Sequence, residues 1–377
     1  MNIAILVDTL AVGGAERQAI LCVSELRKLG HSVDLIHYHP VKEYGPMLEC
    51  LGIDPIYVNG KTFLQRCRRL RRLFRERDYD VIHGFKMAAE VYAAVAGTWA
   101  RVPHRFGSFR SIYDLGFRHC ILHFVVDKFL EAWIVNSKCG AESMARHTRI
   151  SPRKIQVLHN GVLNEMFHPV ITPEEARARI GLPKDSRVVT MIARLQPGKN
   201  HRMFIDAARA VLLDRAEVYF LIVGAGPLRN DLERYAADCG VSANVVFLGL
   251  RTDVPDILAA TDVSALTTDV EGLPNTIIES MAAGKAIACT RYSGWDEIMA
   301  DGENALISDC GDARAFAANV LRLLRDDTLR AGLAKEGRAY ARRHFAPEAM
   351  ARKLEAVYTG QALKSHVDCR STRAHAA

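Results

Sequence analysis

Short apolar runs alternate with amphipathic segments along almost the whole of this chain, and they do so in two rounds. In the first half, runs rich in Ile, Val and Leu fall at residues 3–7, 33–38, 56–58, 81–83, 105–109, 132–135 and 155–158. Helical periodicity lies between them at 15–29, 64–77, 88–100 and 139–146. Runs this short and continuous suit strands buried on both faces, and a helix between consecutive strands is long enough to make the crossover that parallel pairing needs. The spacing predicts a parallel sheet with helices on both faces. The pattern pauses after HNGV at 159–162, where FHP and then TPEE follow. Thr172 and Glu175 have the spacing of a capping box, with Pro173 at the first helical position. Five further runs, at 188–193, 218–223, 245–248, 263–266 and 286–289, again alternate with helices. The expected architecture is α/β: two Rossmann-like, doubly wound domains facing each other across a cleft. Their expected bounds are 1–165 and 166–345. A terminal helix at 346–360 should pack back on the N-terminal domain, and a polar tail at 361–377 lacks periodicity.

Composition narrows the function. A chain of 377 residues with 49% hydrophobic content supports two cores and excludes a disordered protein. The net charge of +7 suits an anionic substrate, an anionic membrane surface or simply a soluble surface; no nucleic-acid partner is expected. The nine cysteines form no CxxC pair and no metal-ligand spacing, and an odd number cannot complete a disulfide framework, so reduced thiols in a cytoplasmic setting are expected. The chain opens on a strand pattern rather than a signal peptide. The longest apolar candidate for a membrane span, 120–135, is interrupted by Asp127, Lys128 and Glu131. Residence in the cytoplasm, at most peripheral on the inner membrane, is the expectation.

In doubly wound sheets ligands sit beyond the carboxyl ends of the strands, so motifs that follow strands carry most weight. The most informative is EGLPNTIIE, in which Glu271 and Glu279 are eight positions apart. Pro274 marks a helix start, and the first-turn N–H groups of such a helix suit an anion. A carboxylate at each end of an anion-binding turn fits a ligand with hydroxyls at both ends and phosphate between them. That is the layout of a nucleotide-sugar. IARLQPGKN carries Arg194 and Lys199 beyond a strand end, where two cations can neutralise a diphosphate; two surface cations in a loop are also common without a ligand. GGAER places Gly13 and Gly14 between a strand and a helix, either for close ligand approach or as a tight turn alone. VGAGP carries Gly224 and Gly226, but the third glycine of a dinucleotide fingerprint would fall at Arg229, which argues against NAD.

The remaining motifs are weaker. Asp78 and Asp80 form a DxD pattern that precedes a strand, at the wrong end of the sheet for metal-dependent sugar transfer. No metal cluster is expected elsewhere. Arg110 and Asp114 follow the strand RFGSF and could reach an acceptor or the donor phosphates; Arg110 and His83 are the candidates for the acceptor side, and His83 and His104 are as easily structural. The helix Phe63–Arg77 is a basic amphipath. Phe63, Cys67, Leu70 and Phe74 share one face, flanked by Leu64 and Leu73, and arginines fill the other, so its apolar stripe should be inside and its arginines free to meet an anionic membrane surface.

In their order and spacing, GGAER, HNGV, IARLQPGKN, VGAGP and EGLPNTIIE together resemble family 4 of the retaining glycosyltransferases, whose signature is the EX7E pattern. The resemblance covers nearly the whole chain and implies the two-domain GT-B fold. It implies a nucleotide-diphosphate sugar donor held mainly by the second domain, a glycan or lipid-linked glycan acceptor, and no cofactor or required metal. By the same resemblance Arg194 and Lys199 bind the diphosphate, Glu271 contacts sugar hydroxyls and Glu279 holds the ribose. Backbone at Leu273, Pro274, Asn275 and Thr276 lines the sugar and phosphate site, and the Gly13–Gly14 turn closes on the phosphates. Many members carry a histidine where Arg110 stands here, and an arginine stays protonated and cannot serve as a base. Two other readings remain open from the residues: a nucleotide-sugar 2-epimerase of the same architecture, and a non-catalytic nucleotide-sugar-binding protein.

Overall fold

The computed structural model describes residues 1–41, 43–110 and 117–361. Asp114 and the tail from 362 onward lie outside them. The chain divides into two compact units: Met1–Gly161 together with the segment from Pro347, and Val162–Ala346.

The first unit is a seven-stranded sheet with β1 (Asn2–Val7), β2 (Ser32–His37), β3 (Ile56–Tyr57), β4 (Val81–Phe85), β5 (His104–Phe109), β6 (Ala132–Val135) and β7 (Ile155–Val157). Their order is β3-β2-β1-β4-β5-β6-β7, and every pairing is parallel. The crossovers are α1 (Gly14–Lys28), α2 (Gly45–Cys50), α3 (Phe63–Arg77), α4 (Met87–Ala100), α5 (Phe117–Asp127) and α6 (Lys138–Thr148). Strand order reverses between β1 and β4. The loops that follow these two strands diverge to opposite sides and leave a crevice at the sheet's carboxyl edge.

The second unit contains α7 (Asn164–Phe167), α8 (Pro173–Arg179), β8 (Arg187–Ile192), α9 (His201–Leu212), β9 (Val218–Val223), α10 (Arg229–Asp238), β10 (Val245–Gly249), α11 (Val254–Ala260), β11 (Val263–Leu266), α12 (Asn275–Ala282), β12 (Ala286–Thr290), β13 (Leu306–Ser308), α13 (Ala313–Arg325) and α14 (Asp327–His344). Its six parallel strands run β10-β9-β8-β11-β12-β13. The reversal here lies between β8 and β11, so the loops carrying Arg194–Lys199 and Glu271 border its crevice.

The last helix, α15 (Pro347–Tyr358), belongs to the first unit and packs against α1. Met350 meets Cys22, and the Glu355 carboxylate accepts from His31 at 2.9 Å. At the seam the capping box is complete: Thr172 Oγ1 accepts from the Glu175 N–H, and the Glu175 carboxylate accepts from the Thr172 N–H at 3.1 Å. Such a cap contributes about 1 kcal/mol to helix stability.

Some elements escape the sequence pattern. α2 has six residues and opens on Gly-Pro; β13 has three. Neither is long enough to show a period. α5 occupies part of the run considered above as a membrane span, and no helix of the described residues is long and apolar enough to cross a membrane.

Candidate active site

In the second unit, the loops after β8 and β11 are stitched into one body. The Gly198 carbonyl accepts from Thr268 Oγ1 at 2.9 Å and from the Asp269 N–H at 3.1 Å. Thr267 Oγ1 donates to the carbonyls of Lys199 and Asn200, at 3.2 and 3.0 Å. Thr290, at the end of β12, donates in turn to the Thr268 carbonyl. Asn200 takes a left-handed conformation, φ 51°, that a short polar side chain tolerates, and this turns the chain into α9. The result is that Lys199 Nζ meets Glu271 in an ion pair across 72 positions of sequence. Both side chains keep a window to solvent, 16% and 23% exposed.

Burial, and then the neighbouring positive charge of Arg194, lower the Lys199 ammonium to about 8, while the Glu271 carboxylate beside it works in the other direction. Arg194 itself is exposed at the loop's rim and makes no ion pair among the described residues. The cationic pair and the first acidic residue of EGLPNTIIE therefore stand together at one sheet edge.

α12 carries the rest of the motif. The helix begins at Asn275, and Pro274 is its N-cap with φ −70° and ψ 118°, one position earlier in the helix frame than the sequence predicts. Leu273 is buried in the core, which anchors the turn. Asn275 and Thr276 are partly exposed in the first turn. Glu279 lies one turn further in and is 3% exposed. Ser280 donates to the Thr276 carbonyl at 2.6 Å and shares a 2.7 Å hydrogen bond with Ser264 of β11, so α12 is pinned to the sheet behind the site.

Gly224 and Gly226 turn out to serve the protein's own backbone. A Cβ at Gly224 would lie 2.1 Å from the Ala193 carbonyl oxygen, and one at Gly226 would lie 2.2 Å from that of Leu195. The Leu195 N–H donates to Ala225 at 3.0 Å, and the Leu228 N–H donates to Leu195 at 3.2 Å. These glycines let the loop after β9 support the Arg194 loop. His201, not singled out in the sequence, follows the Lys199 loop directly and is 2% exposed. Burial pushes its pKa down to about 4 against the pull of the Ala193 carbonyl, so it adds no charge near neutral pH. Its only sequence signal is adjacency to GKN.

In the first unit, Gly13 is extended (φ −168°) and N-caps α1 without a side-chain cap. Its Tyr44 neighbour brackets it, accepting from the Gly13 N–H at 3.3 Å and donating to the Gly13 carbonyl at 3.0 Å. Gly14 is the first residue of α1. Arg110 follows β5. Its guanidinium lies 4.6 Å from the Phe85 ring centroid, donates to Ser108 Oγ at 3.0 Å and donates to Asn160 of HNGV. The next HNGV residue, Gly161, is clamped to α1 by two hydrogen bonds with Gln18, at 3.0 and 2.8 Å. His83 is fully buried in the middle of β4, and its Nδ1 is 2.7 Å from the Tyr358 hydroxyl. Burial holds the ring well below the ordinary histidine range, hence neutral. It ties α15 to the sheet, which corrects its reading as an acceptor-side group. His104 pairs with Glu131 at 2.7 Å, at the start of β5. Asp80 accepts from the Asn2 N–H at 2.7 Å, so the DxD residues act at the sheet's amino edge. Among the described residues no three His, Cys, Asp or Glu side chains form a metal-holding group.

Comparison with known families matches both halves of the chain. Residues 12–163 match the model described as Glycosyltransferase Family 4, and residues 173–340 match that of Glycosyl transferases group 1. The chain belongs to the family 4 glycosyltransferases. This favours the transferase over the epimerase and over the non-catalytic binder. Among curated relatives, an Escherichia coli UDP-Gal:α-D-GlcNAc-diphosphoundecaprenol α-1,3-galactosyltransferase is 29% identical over 277 residues, 69% of this chain and 70% of its own. A Campylobacter jejuni N,N'-diacetylbacillosaminyl-diphospho-undecaprenol α-1,3-N-acetylgalactosaminyltransferase is 27% identical, covering 78% of this chain and 83% of its own. Among solved structures, Anabaena HepE in complex with UDP-glucose superposes with a TM-score of 0.86 at 21% identity, over 96% of this chain and all of that one. WaaG, a glycosyltransferase involved in lipopolysaccharide biosynthesis, gives 0.68 at 16% identity, over 95% of this chain and all of that one. The fold of this glycosyltransferase is therefore GT-B.

Proposed function

We propose that this glycosyltransferase moves a hexose-type sugar, with retention, from a nucleotide-diphosphate sugar to a lipid-linked glycan during assembly of a bacterial surface polysaccharide. The observation that carries the reading is the joining of Arg194, Lys199 and Glu271 at the reversal point of the second sheet. Two cations there neutralise the diphosphate as it leaves, and the first turn of α12 adds N–H donors from Asn275 and Thr276. Glu271 contacts sugar hydroxyls, and Glu279 holds the ribose. As the anomeric C–O bond breaks, its electrons pass to the β-phosphate oxygen. That oxygen takes the proton of the acceptor hydroxyl, and the new C–O bond forms on the face the phosphate leaves. The charge is borne by side chains, and the reaction is proposed to need no metal or cofactor. The diphosphoundecaprenol acceptor named for the Escherichia coli relative supports a lipid-linked acceptor here.

The proposed working place is the cytoplasmic face of a membrane, bound peripherally through α3. Cys67, Leu70 and Phe74 are buried, whereas Arg68, Arg69, Arg71, Arg72, Arg75 and Arg77 are exposed, as are Phe63 and Leu64. α3 packs on α4 and α4 on α5, and α5 exposes Ile121, Phe124 and Val125. Basic residues near an anionic surface contribute about 1 kcal/mol each.

The test is to incubate the protein, on vesicles with and without phosphatidylserine, with candidate uridine- and guanosine-diphosphate sugars and a diphosphate-linked lipid sugar. The product's anomeric configuration is read by NMR. Retained transfer, with co-sedimentation on anionic vesicles that is lost when the six exposed α3 arginines become glutamine, is expected. Conversion of the donor without acceptor, an inverted product, or turnover abolished by a chelator would overturn the corresponding part.

Donor binding should also depend on pH in a defined direction. Lys199 is charged below about 8 in the free protein, and a bound diphosphate favours the charged form. Affinity for the nucleoside diphosphate should be flat below that value and weaken as pH rises through it, by up to about tenfold per pH unit. Calorimetry from pH 6.5 to 9.5 measures this; Lys199→Arg should flatten the profile.

A further inference from the structure

Each sheet carries a lysine–carboxylate pair across its reversal point, with the two partners exchanged between the strands, and only one of the two pairs belongs to the donor site described above. In the second unit a lysine after the first central strand, Lys199, pairs with a carboxylate of the loop across the reversal point, Glu271. In the first unit Lys86, after β4, pairs with Glu16, which follows β1 across that sheet's reversal point. Glu16 is 3% exposed, its Oε2 has no hydrogen-bond partner among the described residues, and that atom would lie 2.4 Å from a Cβ at Gly13. The glycine turn thus makes room for the buried carboxylate, and the carboxylate aims the lysine. The Lys86 side chain itself is 47% exposed.

The backbone at Lys86 points the same way. It is the single residue between β4 and α4, with φ 73° and ψ 159°. That region is otherwise almost glycine's alone. Gly84, two positions earlier, does need to be glycine, since a Cβ there would lie 2.5 Å from the Ala89 carbonyl oxygen. A chain that spends its permissive residue at 84 and holds a strained lysine at 86 uses that side chain for something a glycine cannot do. Arg110 follows the neighbouring strand β5 and lies over the ring of Phe85. Lys86, Arg110 and the start of α1 thus all follow strands at the carboxyl edge of the first sheet.

We propose that Lys86, aimed by Glu16, is a phosphate-binding residue of this enzyme, taking a phosphate of either the nucleotide-sugar donor or the diphosphate-linked acceptor. Glu16 is the positioning residue. The proposal rests on the transferase reading for its substrates but not for its geometry.

Lys86→Met, and Glu16→Gln/Lys86→Met to avoid a buried unpaired carboxylate, are compared with Lys86→Arg in the full chain. The neutral variants should raise KM for one phosphate-bearing substrate about 10- to 100-fold, the loss expected of one hydrogen bond to a charged group, with the other KM held within about twofold. Lys86→Arg should recover most of it. A rise for the donor assigns the phosphate to the nucleotide, and a rise for the acceptor assigns it to the lipid diphosphate. Inorganic pyrophosphate, titrated by calorimetry, reads the same loss without turnover, so a failure of the transfer reaction itself is told apart from a failure at Lys86. Glu16→Gln/Lys86→Gly should be at least as thermostable as Glu16→Gln, through relief of the strained backbone, and still show the defect. Unchanged pyrophosphate affinity and unchanged KM values in the folded neutral variants overturn the proposal.

Discussion

Arg194→Ala and Lys199→Ala should each lower kcat about 10²- to 10³-fold, the size of effect seen when one preorganised donor to a developing negative charge is removed. The two cations are proposed to serve one diphosphate, so the double variant should lose less than the product of the single losses. Folding should survive. Arg194 is exposed, and removal of Lys199 leaves Glu271 with access to water. Circular dichroism melts alongside single-turnover rates make the comparison. Turnover near that of the unaltered enzyme in both variants would remove the leaving-group role.

A second large effect is expected where no ligand is involved. Gly226→Ala sets a methyl group 2.2 Å from the Leu195 carbonyl oxygen, and Gly224→Ala sets one 2.1 Å from that of Ala193, at a residue whose φ is already 145°. The obstacle in both cases is backbone rather than the end of a flexible side chain, so one of the loops must move. Each change should cost about 3 kcal/mol or more, as overpacking combined with backbone incompatibility does. For a unit of this size the midpoint should fall by roughly 6–12 °C. Because the displaced segment carries Arg194, nucleoside diphosphate affinity should fall even in the fraction that stays folded. Calorimetric unfolding and titration measure the two effects. A stable Gly226→Ala protein with unaltered affinity would contradict the support role of these glycines.

The prediction at Gly226 adds a packing role that the sequence reading did not name, and the reason is general. A glycine pair after an apolar strand signals only that some group approaches the backbone closely. Whether that group is a phosphate or another loop is a matter of tertiary neighbours, and here it is the loop from Ala193 to Leu195. His83 teaches the same lesson in reverse. Position after an apolar run marks it as a candidate, but the run continues to Phe85, which leaves the ring inside the sheet against Tyr358. The long-range hydrogen bonds of Thr267, Thr268 and Thr290 were equally hidden, since each links loops some 20 to 70 positions apart. Lys86 and Glu16 left no trace either. One is a lone lysine after a strand, and the other is the acidic member of GGAER.

The strands and helices that organise the molecule were legible because burial on both faces and the helical period are written locally, residue by residue. So were the seam at Thr172–Glu175 and the chemical character of EGLPNTIIE, because caps and helix starts depend on spacings of three or four positions. By itself, then, the sequence determined the fold class, the pairing of two doubly wound units and the kind of ligand they suit. The tertiary structure alone decided which charges meet: that Glu271 takes Lys199, and that Glu16 takes Lys86. The physical reason is that strand order, not sequence order, brings the loops at each reversal point together, and local periodicity carries no record of strand order.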